Sequence, residues 1–293
     1  DRTGRGASGH APYLVMAAEF AKRNIATLRI DDRGTGQTSG MADAGTIDDE
    51  ASDMSAALER LRYHPNIDTT RIVLLGHGEG GLAAIVVGAR YPGLVQRVAM
   101  MAAPALDGRR TLLAQIAARE RKRETDEELI GVAVGLVDAW CGVVASEGTD
   151  DKIVPRFLAI TDSLLEERPD LLVRYPLARQ LQTSGREAYV RSTLLPWIRS
   201  YIWYSPADYL ARLRQPLLAL YAEEDIEVPG RTHADALRLQ ATNGRKTLVE
   251  VVADVNHWFQ PCSDCTEEER SSLPLSISPD VLSRLAIWIL RGA

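Results

Sequence analysis

The chain has 293 residues, 45% hydrophobic and 25% charged, enough to bury a large core in one big α/β domain or two smaller ones. Its net charge of -6, with no compensating block of Lys and Arg, argues against a nucleic-acid partner. No stretch approaches the ~20 apolar residues that span a bilayer, nothing reads as a signal peptide, and a cytoplasmic location is expected.

Taken in chain order, the elements alternate. His10 stands just ahead of a helical pattern over residues 12–23. Residues 25–30 (IATLRI) read as a buried strand opening into the loop Asp31-Asp32-Arg33-Gly34-Thr35-Gly36. A helix over 49–62 precedes a second strand, 71–75 (RIVLL), which runs into Gly76-His77-Gly78-Glu79-Gly80-Gly81 and a helix over 81–90. Residues 97–103 form a third strand, stopped by Pro104. Strands over 216–221 (PLLALY) and 247–252 (TLVEVV) follow, with helices over 231–239 and 279–290. Strands alternating with helices predict an α/β fold, a mostly parallel sheet covered by helices on both faces.

The alternation breaks between Ala105 and Arg214, where the patterns at 111–122, 127–144, 153–167 and 186–201 are all helical. The division expected is a core of residues 1–104 and 215–293 with a helical cap insertion of residues 105–214 over the carboxyl edge of the strands, where open α/β sheets bind ligands. The run from Arg119 to Glu124 mixes bases with acids and reads as a solvated helix face. Only a loop precedes the 12–23 helix. In the architecture argued below, an interior strand stands there, and a sheet lacking it would leave rows of backbone groups unpaired. Residues upstream of Asp1 are therefore expected in the native protein.

The hexapeptide after the second strand sits where a strand turns into a helix, the context of a nucleophile elbow, G-x-S-x-G. In such a turn small residues let strand and helix pack closely, and the middle residue takes a positive φ that aims its side chain over the helix N-terminus. Here the middle residue is Gly78, which accepts that backbone and supplies no nucleophile. A glycine-rich phosphate loop is the bland alternative; no lysine follows for a Walker loop, and no acid ends the next strand as a ribose partner. Cys262 and Cys265 form a C-x-x-C without a second pair to complete a zinc site, so they read as loop cysteines open to a local disulfide. No metal and no organic cofactor is implied.

The segments His10-Ala11-Pro12-Tyr13-Leu14, the DDRGTG loop, the GHGEGG elbow, Leu195-Pro196-Trp197-Ile198-Arg199, Tyr204-Ser205-Pro206, the stretch from Ala222 to Pro229 (AEEDIEVP) and Asn256-His257-Trp258-Phe259-Gln260 occur in one order across nearly the whole chain. In this the chain resembles the bacterial α/β-hydrolases of the prolyl-oligopeptidase-like and acyl-esterase type, with a helical cap. The resemblance implies a Ser–Asp–His triad with its acid at Asp225 and its base at His257; the nucleophile falls on Gly78, where this sequence departs from the pattern. Read as residues alone, Asp225 is a loop acid with Glu223, Glu224 and Glu227 as rivals, and D-x-x-V-P favours Asp225. His257 alone would pass for a surface histidine. The Glu79 backbone N–H is expected in an oxyanion hole, its carboxylate in a structural role. His10 is a candidate for touching substrate. Trp197, Tyr201, Trp203 and Tyr204 suit a core-facing helix, with Trp197 and Tyr201 the candidates for lining an acyl pocket. His77 is expected to pack beneath the elbow, and His64 and His233 on helix surfaces or ends.

Three readings of Gly78 follow. The chain is a hydrolase of a carboxylic ester, thioester or related small acyl compound, silenced by an engineered Ser→Gly change; or glycine is native and the His257–Asp225 pair activates water or drives an elimination or cyclisation; or the chain is a ligand-binding pseudohydrolase. The retained acid and base weigh against the last.

Overall fold

The computed structural model describes residues 2–4, 9–41, 44–146, 148–241, 246–266, 268–274 and 276–292. The chain divides into two compact units, residues 1–107 with 205–293, and residues 108–204. The first unit opens with α1 (Pro12–Ala21), whose proline stands in the first turn, where a missing N–H is harmless. Next comes α2 (Ile47–Arg62), started by a capping box in which the Thr46 hydroxyl accepts the Asp49 N–H and the Asp49 carboxylate accepts the Thr46 N–H. Then follow β1 (Val73–His77), α3 (Glu79–Arg90) and β2 (Arg97–Met101). The second unit holds α4 (Gly108–Lys122), α5 (Glu127–Ser146), α6 (Asp150–Glu167), α7 (Leu171–Arg174), α8 (Pro176–Gln180), α9 (Arg186–Ser192) and α10 (Pro196–Trp203). The chain returns to the first unit through α11 (Ala207–Arg212), β3 (Leu217–Ala222), α12 (Gly230–Gln240), β4 (Thr247–Val252) and α13 (Pro279–Arg291).

The described strands pair in parallel in the order β1-β2-β3-β4, with Val73 opposite Arg97, Val98 opposite Leu217 and Leu217 opposite Thr247. Right-handed crossovers between strands laid down in sequential order put their connecting helices on one face. Accordingly α3 lies against the Val98 and Met100 side chains, while Ala99, Met101, Leu218 and Leu220 pack with Met16 and Phe20 of α1 and Val281, Leu285 and Trp288 of α13. Every residue of β3 is buried, because it has a strand on each side and helices on both faces. All four strands send their carboxyl ends to the same edge, and the loops leaving β1, β3 and β4 there carry Gly78, Asp225 and His257.

Two sequence expectations fail in this frame. Residues 25–30 form no strand: Ile25 packs on the core, but Leu28 and Ile30 are 50% and 41% exposed. An apolar run becomes a strand only with a neighbour to pair with, and among the described residues none pairs with it. The expected helix over 186–201 is broken into α9 and α10, because Pro196 forces Leu195 into the extended region (φ -67°, ψ 144°) and starts a new helix.

In the helical unit, Leu129, Ala133 and Leu136 of α5 form a core with Leu165, Leu171, Tyr175 and Ala178. The expectation of no membrane-length apolar stretch needs correction, since α5 is long and apolar enough to cross a bilayer; here that apolarity supplies the helical core. Glu120 also departs from the solvated-face reading. It is buried, with its carboxylate accepting from the Thr125 hydroxyl at 2.9 Å and paired with Arg123.

Candidate active site

The turn between β1 and α3 is built from glycines that the backbone requires. A Cβ on Gly76 would stand 2.1 Å from the Gly80 carbonyl oxygen, so strand and helix meet there only if residue 76 has no side chain. Gly78 adopts φ 55° and ψ -127°, a conformation costly for an L side chain, and its N–H donates to the Met101 carbonyl at 2.9 Å. Among the described residues, a Cβ added at Gly78 would find a single heavy atom outside its chain neighbours within 4 Å, the Nε2 of His257 at 3.9 Å. Glu79 is the first residue of α3, where N–H groups have no intrahelical acceptor and the helix dipole favours negative charge.

Past the end of β3, the Asp225 carboxylate is fully engaged. Its Oδ1 accepts the backbone N–H groups of Glu227 and Val228 at 2.7 and 2.8 Å, and its Oδ2 accepts the His257 Nδ1–H at 2.8 Å. The three bonds lock one rotamer and hold His257 in the tautomer whose Nε2 faces Gly78. Both side chains are buried. Burial alone would push the His257 imidazole down; the Asp225 charge and hydrogen bond, with Glu227 beyond, overcome it and hold the pKa above its ordinary value. Of the rival acids, Glu223 pairs with Arg231, and Glu227 stands on the other side of the ring, its Oε2 3.7 Å from Nε2.

The loop that carries His257 is folded by its neighbours. Asn256 Oδ1 accepts the N–H groups of Trp258 and Gln260 at 3.0 and 3.1 Å, an Asx turn, and Phe259 takes a positive φ of 56° to bury its ring completely. His77, the last residue of β1, donates its Nε2–H to the His257 carbonyl at 2.9 Å and stacks on Trp258 with ring centroids 4.5 Å apart. Burial, and then the charge of His257, push the His77 imidazole down to about 3, so it is a neutral brace. His10 is 4% exposed, its ring edge-on to Trp258 with centroids 6.5 Å apart and its Nε2 without a partner among the described residues. Burial and the Arg270 charge lower its pKa.

Other expected residues lie elsewhere. His233 is not on a helix surface: it is fully buried in α12, with Nδ1 accepting the Ala105 N–H at 3.0 Å. His64 is exposed beyond the end of α2. Trp197 and Tyr201 belong to the helical unit, where their rings pack edge to face at 5.7 Å and Tyr201 is buried; their link to substrate rests on the sequence pattern. Arg270 was missed by the sequence reading, since an arginine in a polar loop gives no signal of the histidine it approaches. Behind the elbow, Glu50 is pushed up to about 7 by burial, then by the charges of Glu79, Asp32, Asp53 and Asp49; burial likewise raises Glu79.

Cys262 and Cys265 are joined in a disulfide. With Glu269 they form the one His/Cys/Asp/Glu group of metal-binding spacing among the described residues. The bond between the sulfurs and the three backbone N–H groups accepted by the Glu269 carboxylate (Ser263, Asp264 and Cys265) leave this trio engaged within the protein.

Comparison with known proteins bears on the fold. A family profile described as serine aminopeptidase, S33, matches residues 6–125. No curated protein matches the chain. Among solved structures, Est1E from Butyrivibrio proteoclasticus, determined with ferulic acid bound, is 14% identical with a TM-score of 0.53, over 99% of this chain and 86% of that one. A bromoperoxidase from Bacillus anthracis is 15% identical with a TM-score of 0.50, over 95% and 86% of the two chains. A proline iminopeptidase from Mycobacterium smegmatis is also 15% identical at a TM-score of 0.50, with coverage of 95% and 86%. At these identities the likeness is one of fold.

Proposed function

We propose that this chain, which has the fold of the α/β-hydrolases and matches a serine aminopeptidase, S33, profile over residues 6–125, carries at Gly78, Asp225 and His257 the three corners of a Ser–Asp–His type site for a carboxylic ester, thioester or related acyl compound, with the nucleophile's corner vacated. One observation carries the reading: among the described residues, and apart from its chain neighbours, the only heavy atom within 4 Å of a Cβ at position 78 is the His257 Nε2, at a distance that a serine Oγ would close to hydrogen-bond range. With serine in place, Nε2 takes the hydroxyl proton as Oγ attacks the acyl carbon, and Asp225 keeps the ring in register and stabilises the imidazolium. The Glu79 N–H, at the start of α3, meets the oxyanion. Removing one member of such a triad leaves ~10³–10⁴-fold catalysis over water, so the chain with glycine is a weak hydrolase.

A second reading is favoured by the intact Asp225–His257 bond and the raised His257 pKa. A base so held can take a proton from water or from a bound substrate directly, for hydrolysis without an acyl-enzyme, elimination or cyclisation. His10, buried beside Trp258 with an Nε2 that no described residue pairs, is our candidate for a polar contact to substrate in either case.

The deciding experiment assays the chain and its Gly78→Ser variant on a short-chain chromogenic ester. Serine is expected to raise kcat/KM by about 10³-fold or more. Equal rates from two folded proteins would sink the vacated-nucleophile reading and leave direct proton abstraction in its place.

A further inference from the structure

His257 has a carboxylate on each side of its ring. Asp225 Oδ2 is 2.8 Å from Nδ1, and Glu227 Oε2 is 3.7 Å from Nε2, beyond hydrogen-bond range but close enough for an ion pair once the ring is protonated. The same turn places both acids, since the Glu227 N–H donates to Asp225 Oδ1 and so fixes where Glu227 leaves the backbone. The other Glu227 oxygen accepts from Arg270 Nη2 at 2.7 Å. Arg270 sits in a one-turn 3-10 helix, Glu269–Ser271, and its neighbour Glu269 grips three backbone N–H groups of the loop closed by the Cys262–Cys265 disulfide. Arg270 is thus presented by a braced loop.

Among the described residues, the charged and titratable groups around the ring come from three elements. The loop after β3 gives Asp225 and Glu227, the end of β1 gives neutral His77 with its ring 4.5 Å away, and the 3-10 helix gives Arg270. At position 78 there is no hydroxyl to share the Nε2 proton. We propose that Glu227, tethered by Arg270, is a positioning residue that sets how strongly His257 holds a proton on Nε2, with Arg270 moderating the charge the ring feels. This rests on reading His257 as the base of the site. A neutral ring points a lone pair at Glu227, whereas a protonated ring points an N–H at it, so the carboxylate favours the imidazolium. Arg270 works against it by sharing Glu227's charge and adding its own.

The two groups therefore have opposite signs, which a merely structural role would not produce. The test is an NMR titration of the His257 ring in the chain as it stands, in Glu227→Gln and in Arg270→Gln. The midpoint is expected to fall by about one pH unit in Glu227→Gln and to rise by a smaller amount in Arg270→Gln. An unmoved midpoint in Glu227→Gln, or shifts of the same sign in both variants, overturns the proposal. If Arg270→Gln does not fold, Arg270→Lys takes its place: it keeps the charge and must leave the midpoint near that of the parent, and a large shift overturns the proposal. No substrate is needed. Titration shifts of the expected signs beside an inactive Gly78→Ser protein would refute the hydrolytic reading and leave this one standing.

Discussion

The two sides of the candidate site are made in opposite ways. The elbow between β1 and α3 is formed by the absence of side chains: Gly76 permits a contact that any Cβ would block, and Gly78 takes a backbone that only glycine adopts freely. The histidine loop is formed by side chains filling every place, with Asp225 making three hydrogen bonds, Asn256 accepting two N–H groups and His77 clamping the His257 carbonyl. On the proposed reading, the lesson is that most of the site's hydrogen bonding goes into holding the histidine, while the turn at Gly78 is specified by backbone alone and does not require a side chain there.

The largest test of this contrast is kinetic. In the Gly78→Ser protein, Asp225→Asn should lower kcat by about 10⁴-fold through the wrong imidazole tautomer. A loss under tenfold in steady-state ester assays would mean that something else orients His257. Next come the two glycines, compared by denaturant unfolding. Gly76→Ala forces a Cβ to 2.1 Å from a backbone oxygen and should cost about 3 kcal/mol or more. Apart from its chain neighbours, Gly78→Ala meets no described atom closer than the His257 Nε2 at 3.9 Å and only a dihedral penalty of about 1–2 kcal/mol. Equal costs would show that close approach does not build the elbow.

On the crowded side, Asn256→Ala leaves the Trp258 and Gln260 N–H groups without their acceptor and should destabilise by about 1–3 kcal/mol. Faster amide exchange confined to 256–260 is the measurement. The smallest effect belongs to Glu50, behind the elbow. Its pKa, about 7 against 4.5 in the open chain, means that the folded state binds the extra proton between those values. Its contribution is then most favourable below pH 4.5 and is lost as pH rises through 7. Glu50→Gln should therefore stabilise by about 1 kcal/mol at pH 8 and by almost nothing at pH 4, read as the difference between unfolding midpoints.

Much of this was legible in the sequence, and the failures have physical causes. The strands Leu217–Ala222 and Thr247–Val252 both read as apolar runs ending in acid or histidine loops; the first, with a strand on each side, is buried throughout, while the second, last in the described strand order, is fully buried only at Val252. Residues 25–30 carry the same kind of run and fail, since periodicity describes a strand's own faces and says nothing of its neighbour. Order and context single out Asp225 and His257, which the structure joins by a hydrogen bond, but not the approach of Glu227 to Nε2 or its tether Arg270, because these depend on which rotamers the loops select. His233 was misplaced for a related reason: an imidazole on a helix shows no sign in the sequence that it caps the Ala105 N–H from inside the core.

The positive φ of Gly78 has one more consequence. A side chain with a Cβ at that position works against the backbone, so a chain that gained a nucleophile there would lose a little of its conformational robustness, and a chain that shed it would relax. If position 78 is the nucleophile's place, as proposed, fitness for folding and fitness for turnover pull it in opposite directions, and one substitution would separate a sturdier protein from a more reactive one.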